Sequence, residues 1–213
     1  MKWLGVSDVK KLGVGLLEGV FWNELKDASG NLEKRIETCN NSNTTIIERI
    51  GGNFMSKLYD NLNEQMNFEL ESAYIYATMS AYLDEQNMKG MTHFMDEQVK
   101  EEVSHAERIK NFLQETGYGV KYRPLDPGDG QFDSIEAVFK KALAHEKVVT
   151  SRIHDLVKEA REEADQRVLN LLAWFVDEQI EEEDTFGVLA ERLERINGQW
   201  NGLYILDKEL SAR

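Results

Sequence analysis

Four carboxylates, two amides and one imidazole occupy positions where an amphipathic helix ordinarily keeps its apolar core. In the stretch Trp174-Phe-Val-Asp-Glu-Gln-Ile-Glu-Glu-Glu-Asp184 and its surroundings, the helical stripe runs Val168, Leu171, Leu172, Phe175, then Gln179 and Glu182, then Phe186, Leu189 and Leu193. It is apolar, then polar, then apolar again. Three other segments repeat the pattern. Residues 89–116 place Glu102 and His105 on a stripe with Met95, Gln98, Val99, Ala106, Ile109, Phe112 and Leu113. Residues 56–84 place Glu69 among Leu58, Leu62, Ala73, Tyr76 and Ser80, and residues 134–160 place Glu146 among Ile135, Phe139, Ala142, Val149, Ile153 and Leu156.

An unpaired carboxylate on the buried side of a helix costs several kcal/mol, roughly, unless it is protonated, paired or bound to a cation. No lysine or arginine lies on these stripes, which weakens the alternative of a buried ion-pair network. Each acid stands near the middle of its helix. If the four helices form one bundle, the acids meet at one depth beside a single imidazole and make a site for two transition-metal ions. Hard carboxylate oxygens with one neutral nitrogen suit iron or manganese.

The elements that must position these groups follow from the breaks between them. The first long helix begins near Met55-Ser56, capped by Asn53 or Ser56, and runs to about Glu85. Gln86-Asn-Met-Lys-Gly90 is a short polar break, so the second helix returns antiparallel and ends at Glu115-Thr-Gly-Tyr-Gly119. Residues 118–133 hold both prolines of the chain, Pro124 and Pro127, and form the one long connection of the body. A crossover of this length lies along the bundle and starts the third helix at the end where the second starts. Asp133 or Ser134 caps that helix, a link at Glu162-Glu-Ala-Asp165 leads to the fourth, and Gly198 stops the fourth near Asn197. Trp200 to Leu210 then makes a short amphipathic fifth helix. The expected fold is all-α, a four-helix bundle with a long crossover between the second and third helices and a short C-terminal helix.

Residues 1–54 differ in texture. Val9, Leu12, Leu16, Leu17, Val20, Phe21 and Leu25 keep helical spacing, but Gly5, Gly13, Gly15 and Gly19 each weaken a helix by about 1 kcal/mol relative to alanine. The apolar run is interrupted by Glu18 and is too short for a bilayer, which takes about 20 apolar residues. Thus 1–54 reads as an extension and 55–213 as the main domain.

Across 213 residues, 39 acids against 25 bases give a net charge of −14, which argues against nucleic-acid binding and favours cations. Cys39 is the only cysteine, so one chain holds no internal disulfide, no four-thiolate zinc site and no cysteine-ligated iron centre. A cytoplasmic setting is expected.

From about Met55 onward the chain resembles the non-haem bacterial ferritins. The resemblance is carried by Asn61-Leu-Asn-Glu-Gln-Met-Asn-Phe-Glu-Leu70, Glu101-Glu-Val-Ser-His105, His145-Glu146, Trp174-Phe-Val-Asp-Glu-Gln-Ile-Glu-Glu-Glu183 and Leu203-Tyr-Ile-Leu-Asp-Lys-Glu-Leu210. It implies that Glu69, Glu102 and His105 bind a first iron, and Glu102, Glu146 and Glu182 a second, with Glu102 bridging. Gln179 would stand beside the pair, and Glu101, Glu178 and Glu181, sharing Glu182, would hold a third iron. Tyr76 and Trp174 match aromatic residues that supply an electron, though a core Tyr76 with a bonded hydroxyl and a purely packing Trp174 are the plainer readings. Likewise Glu101, Glu178 and Glu181 also read as a solvated acidic face. His93, His145 and His154 read as surface or hydrogen-bonded histidines.

The resemblance further implies a ferroxidase that oxidises Fe(II) with dioxygen or hydrogen peroxide. It would store the Fe(III) mineral inside a hollow homo-oligomeric shell of about two dozen subunits, without haem. The absence of histidine at 182 separates the chain from bacterioferritin, and the lone cysteine from the rubredoxin-like part of rubrerythrin. Residues 1–54 have no counterpart in the family. Their amphipathic face and glycines suggest a second role, an interaction or cargo module docking on a partner or container, with storage altered or secondary.

Overall fold

The computed structural model of the protein describes residues 56–126, 128 and 130–211. The helices expected in residues 1–54, and Asn53 as a cap, lie outside the described residues. The described fold belongs to the unit that runs Met55–Arg213. Among the described residues the regular elements are five helices in the expected order: α1 Lys57–Glu85, α2 Lys89–Glu115, α3 Ile135–Glu162, α4 Gln166–Ile196 and α5 Trp200–Leu210. None of them is long and apolar enough to cross a membrane.

The helix ends have local causes. Ser134 Oγ accepts from the Ala137 amide and caps α3, while Asp165 accepts from the amides of Arg167 and Val168 and caps α4. Asn197, left-handed at φ 47°, ends α4, and asparagine tolerates that region better than most residues. Ser56 precedes α1 as expected, but its hydroxyl makes no capping bond; its carbonyl accepts from the Tyr59 amide instead. Helix α2 has no capping side chain of its own, and the tail helix supplies one. Asp207 Oδ1 of α5 accepts from the Met91 amide at 2.9 Å, satisfying a donor that the first turn of α2 leaves open. Gly90 permits this approach, because a Cβ there would lie 1.7 Å from the Asp207 carbonyl oxygen.

The crossover between α2 and α3 lies along α1. The buried amides of Asn63 and Asn67 both donate to the Lys121 carbonyl at 2.9 Å, and their oxygens accept from the backbone amides of Lys121 and Arg123. Further on, Phe132 meets Tyr82 at 5.2 Å near the C-terminal end of α1. The connection therefore travels the length of α1, and α3 starts at the end where α2 starts, as its length predicted.

Two apolar clusters fill the bundle. One centres on Leu58, Leu62, Ile109, Leu113, Ile153 and Phe175, the other on Met79, Leu83, Met95, Phe139, Phe186 and Leu206. Between them lies a polar layer of Glu69, Gln98, Glu102, His105, Glu146, Gln179 and Glu182, none more than 5% exposed. The core is interrupted at mid-depth on all four long helices.

Candidate metal centre

The layer is built by register. Glu69 on α1, Glu102 and His105 one turn apart on α2, Glu146 on α3 and Gln179 and Glu182 on α4 all continue the apolar stripes above and below them. Burial of the neighbouring leucines and phenylalanines carries these groups inward, because the helix cannot rotate one turn away from the core without rotating the rest.

Glu69, Glu102 and His105 each offer a ligand atom within 4.8 Å of the other two, all buried. His105 Nδ1 stands 3.6 Å from Glu102 Oε2, the spacing of two donors on a common cation with bonds of about 2.1 Å. Glu69 Oε2 and Glu102 Oε2 are fully buried, with no hydrogen-bond donor among the described residues. Each of these oxygens calls for a positive partner, a proton or a metal ion. Glu69 Oε1, by contrast, accepts from Gln65 Nε2 at 2.9 Å.

Glu146 and Glu182 complete the layer from α3 and α4. The Tyr76 hydroxyl donates to Glu146 Oε1, and Gln179 Nε2 donates to Glu146 Oε2 at 3.0 Å. Gln98 Nε2 lies 3.2 Å from Glu182 Oε1 and donates to Glu101 Oε2 at 2.9 Å. Gln98 stood on the α2 stripe in the sequence, so its position was visible there although its partner was not.

The electrostatics describe a site short of positive charge. Burial first, then the Glu102 charge, raises the Glu69 carboxyl well above its ordinary range. Burial, then Glu146 and Glu182, does the same to Glu102, and burial with Glu146 and Glu101 raises Glu182 to about 9. Burial also raises Glu146, although the bonds from Tyr76 and Gln179 work against it. Burial and the Glu146 charge push the Tyr76 hydroxyl well above the usual phenol value, so it remains a donor.

A second group lies at the edge of the layer, where Glu101 and Glu178 join His105 within 4.8 Å. Glu181, expected to complete that set, is exposed and stays out of this group, although its charge still helps raise Glu178. Trp174 meets the His105 ring edge-on at 5.3 Å and carries the Arg108 guanidinium 3.8 Å from its ring centre, a packing role. His93 and His154 are exposed; His145 is held by Ser72 at 2.7 Å and stacked on Phe68, with its pKa lowered to about 4 by burial. The stripes carry no base, yet Arg152, one position off the α3 stripe, reaches Gln65 Oε1 at 2.7 Å.

The family model described as Ferritin-like domain matches residues 59–196. The bacterial non-heme ferritin of Staphylococcus aureus (strain USA300) is 38% identical over 156 residues, 73% of this chain and 94% of that protein. That of Staphylococcus epidermidis (strain ATCC 12228 / FDA PCI 1200) is 40% identical over 152 residues, 71% of this chain and 92% of that protein. The open pore ferritin from the hyperthermophilic archaeon Archaeoglobus fulgidus superimposes with a TM-score of 0.73 at 39% identity, covering 75% of this chain and 98% of that one.

Proposed function

This chain belongs to the ferritin family and stores iron, and from that premise we propose that the mid-bundle layer is where Fe(II) is bound and oxidised. In this reading Glu69, Glu102 and His105 take one iron, Glu102, Glu146 and Glu182 the other, and Glu102 bridges them. The observation that carries it is the pair of buried carboxylate oxygens with no donor among the described residues, Glu69 Oε2 and Glu102 Oε2, on two carboxylates that stand together with His105. Two Fe(II) ions give up two electrons to one dioxygen, which takes two protons to become hydrogen peroxide. With hydrogen peroxide as oxidant, two electrons and two protons yield two waters.

The protein supplies three things to that reaction. Anionic oxygens favour Fe(III) over Fe(II). Gln179 and Tyr76 hold Glu146 by both its oxygens, and the apolar clusters on either side limit water. Glu101 and Glu178 beside His105, with Glu181 and the shared Glu182 near them, form a route or third position for iron leaving the pair. Exposed Trp200, Tyr204 and Ile205 on α5, with Ile180 and Val188 on α4, support assembly into a homo-oligomeric shell that buries them. A reducing cytoplasm suits the lone cysteine.

Aerobic iron loading followed by gel filtration tests this. The expected result is Fe(III) eluting with the protein in large excess over its carboxylate ligands. Iron that precipitates, or stops at two or three ions per chain, contradicts storage by this protein.

A further inference from the structure

The polar layer is anchored at one edge by a group outside it. Arg152 of α3 lies over Phe68, its guanidinium carbon 4.2 Å from the ring centre, and its Nε donates to Gln65 Oε1 at 2.7 Å. Gln65, only 1% exposed, donates in turn from Nε2 to Glu69 Oε1 at 2.9 Å. Chemistry fixes the direction of this chain. Arginine can only donate and an ionised carboxylate can only accept, so the amide between them fits one way round.

The two oxygens of Glu69 are thereby made unequal. Oε1 is engaged by Gln65, while Oε2 is buried with no donor among the described residues, on a carboxylate that offers a ligand atom within 4.8 Å of Glu102 and His105. We infer that Arg152 is a positioning residue for iron: through Gln65 it holds Glu69 so that a single oxygen, Oε2, is presented to Fe(II). Without the guanidinium the buried Gln65 oxygen loses its donor, the amide is free to turn, and a turned amide would set its oxygen against the Glu69 carboxylate. Glu69 would then rotate or bind with both oxygens, at the expense of the geometry shared with Glu102 and His105. Arg152 also borders a polar cavity of about 360 Å³ shared with Asn61, Glu64, Asp155 and Glu159, so a shorter side chain there opens to that cavity and leaves no void in the core.

This inference rests on Glu69 being an iron ligand, as proposed above, and the test separates the two claims. Full-length wild type, Glu69→Ala, Arg152→Met, Arg152→Lys, Gln65→Leu and the Arg152→Met/Gln65→Leu double variant are titrated anaerobically with Fe(II) by calorimetry, with thermal melts alongside. Arg152→Met, which keeps the stem and removes every donor, should weaken the site containing Glu69 by about tenfold, leave the Glu146/Glu182 site unchanged, and raise KM for Fe(II) at near-normal kcat. Arg152→Lys, which keeps a donor, should lose less. In the Gln65→Leu background the Arg152 substitution should cost nothing further, since the relay is already cut. Wild-type titration of Arg152→Met, or an undiminished loss in the Gln65→Leu background, overturns the relay. Wild-type titration of Glu69→Ala would instead sink the ligand assignment and the relay with it.

Discussion

At the scale of single residues, the polar layer is expensive to build. Glu102 is 1% exposed, feels the carboxyl groups of Glu146, Glu182, Glu69 and Glu101, and has one oxygen with no hydrogen-bond donor among the described residues. Its folded-state pKa is raised, so the folded form binds a proton that the unfolded chain gives up. Stability of the metal-free protein is therefore fullest below the ordinary carboxylate value of 4.5 and declines as pH rises; for Glu182 the decline runs up to about 9. Glu102→Gln removes one such group. It should raise the melting temperature of the metal-free protein at pH 7 by about 2–4 °C per kcal/mol relieved, and flatten the decline between pH 5 and about 9. Thermal melts across that range check this, and a variant less stable than wild type at pH 7 contradicts it. The four acids were legible in the sequence because each broke an apolar stripe. Gln65 is not singled out, because it lies one turn before Glu69 and an amide is ambiguous until its partners are known. Arg152 left no mark, because it lies off the stripe and reaches its partner sideways along Phe68.

At the scale of elements, the layer depends on helices held in register by their ends. Asp165 caps α4 and also accepts from the Tyr59 hydroxyl at 2.9 Å, tying the start of α4 to α1. Burial pulls its pKa upward, but the bonds from Arg167, Tyr59 and the two backbone amides prevail and lower it. A lowered folded-state pKa means stability that is present above the unfolded value near 3.8 and is lost as pH falls through the folded one. Asp165→Ala should cost about 1–2 kcal/mol at pH 7, and the difference from wild type should shrink below about pH 4. Denaturant unfolding at both pH values measures it. Helix α2 makes the opposite case. Alanine at position 90 would favour the helix by about 1 kcal/mol on propensity, but its Cβ would meet the Asp207 carbonyl at 1.7 Å. Gly90→Ala should therefore destabilise by about 1–3 kcal/mol and speed hydrogen exchange in α5, read by mass spectrometry. Unchanged exchange would show that α5 is not held there. Helix number, order and the α3 and α5 starts followed from breaks and caps in the sequence. The clasp between Asp207 and α2, and the bonds of Asn63 and Asn67 to the crossover, did not, because bonds between a side chain and a distant backbone leave no periodic trace.

At the scale of the whole molecule, the described bundle carries its polar layer in its middle and leaves apolar side chains on its outside. Trp200, Tyr204 and Ile205 are each more than half exposed on one short helix, a poor arrangement for a free monomer and a good one for a subunit. Light scattering should find the wild type as a large closed assembly, and an Ile205→Glu/Tyr204→Glu variant as smaller species with the same helical content. A monodisperse monomer for the wild type would contradict the shell. On the proposed function storage needs that shell whereas oxidation needs only the layer, so the smaller species should still oxidise Fe(II) while failing to keep the product in solution.

The central claim is that buried carboxylates from four helices and one imidazole form the oxidation site. Stopped-flow mixing of Fe(II)-loaded protein with dioxygen, comparing wild type with Glu102→Ala and His105→Ala, tests it most directly. The account predicts a rapid phase in the wild type that falls by at least about a hundredfold in both variants. A rapid phase of unchanged rate in either variant would contradict it.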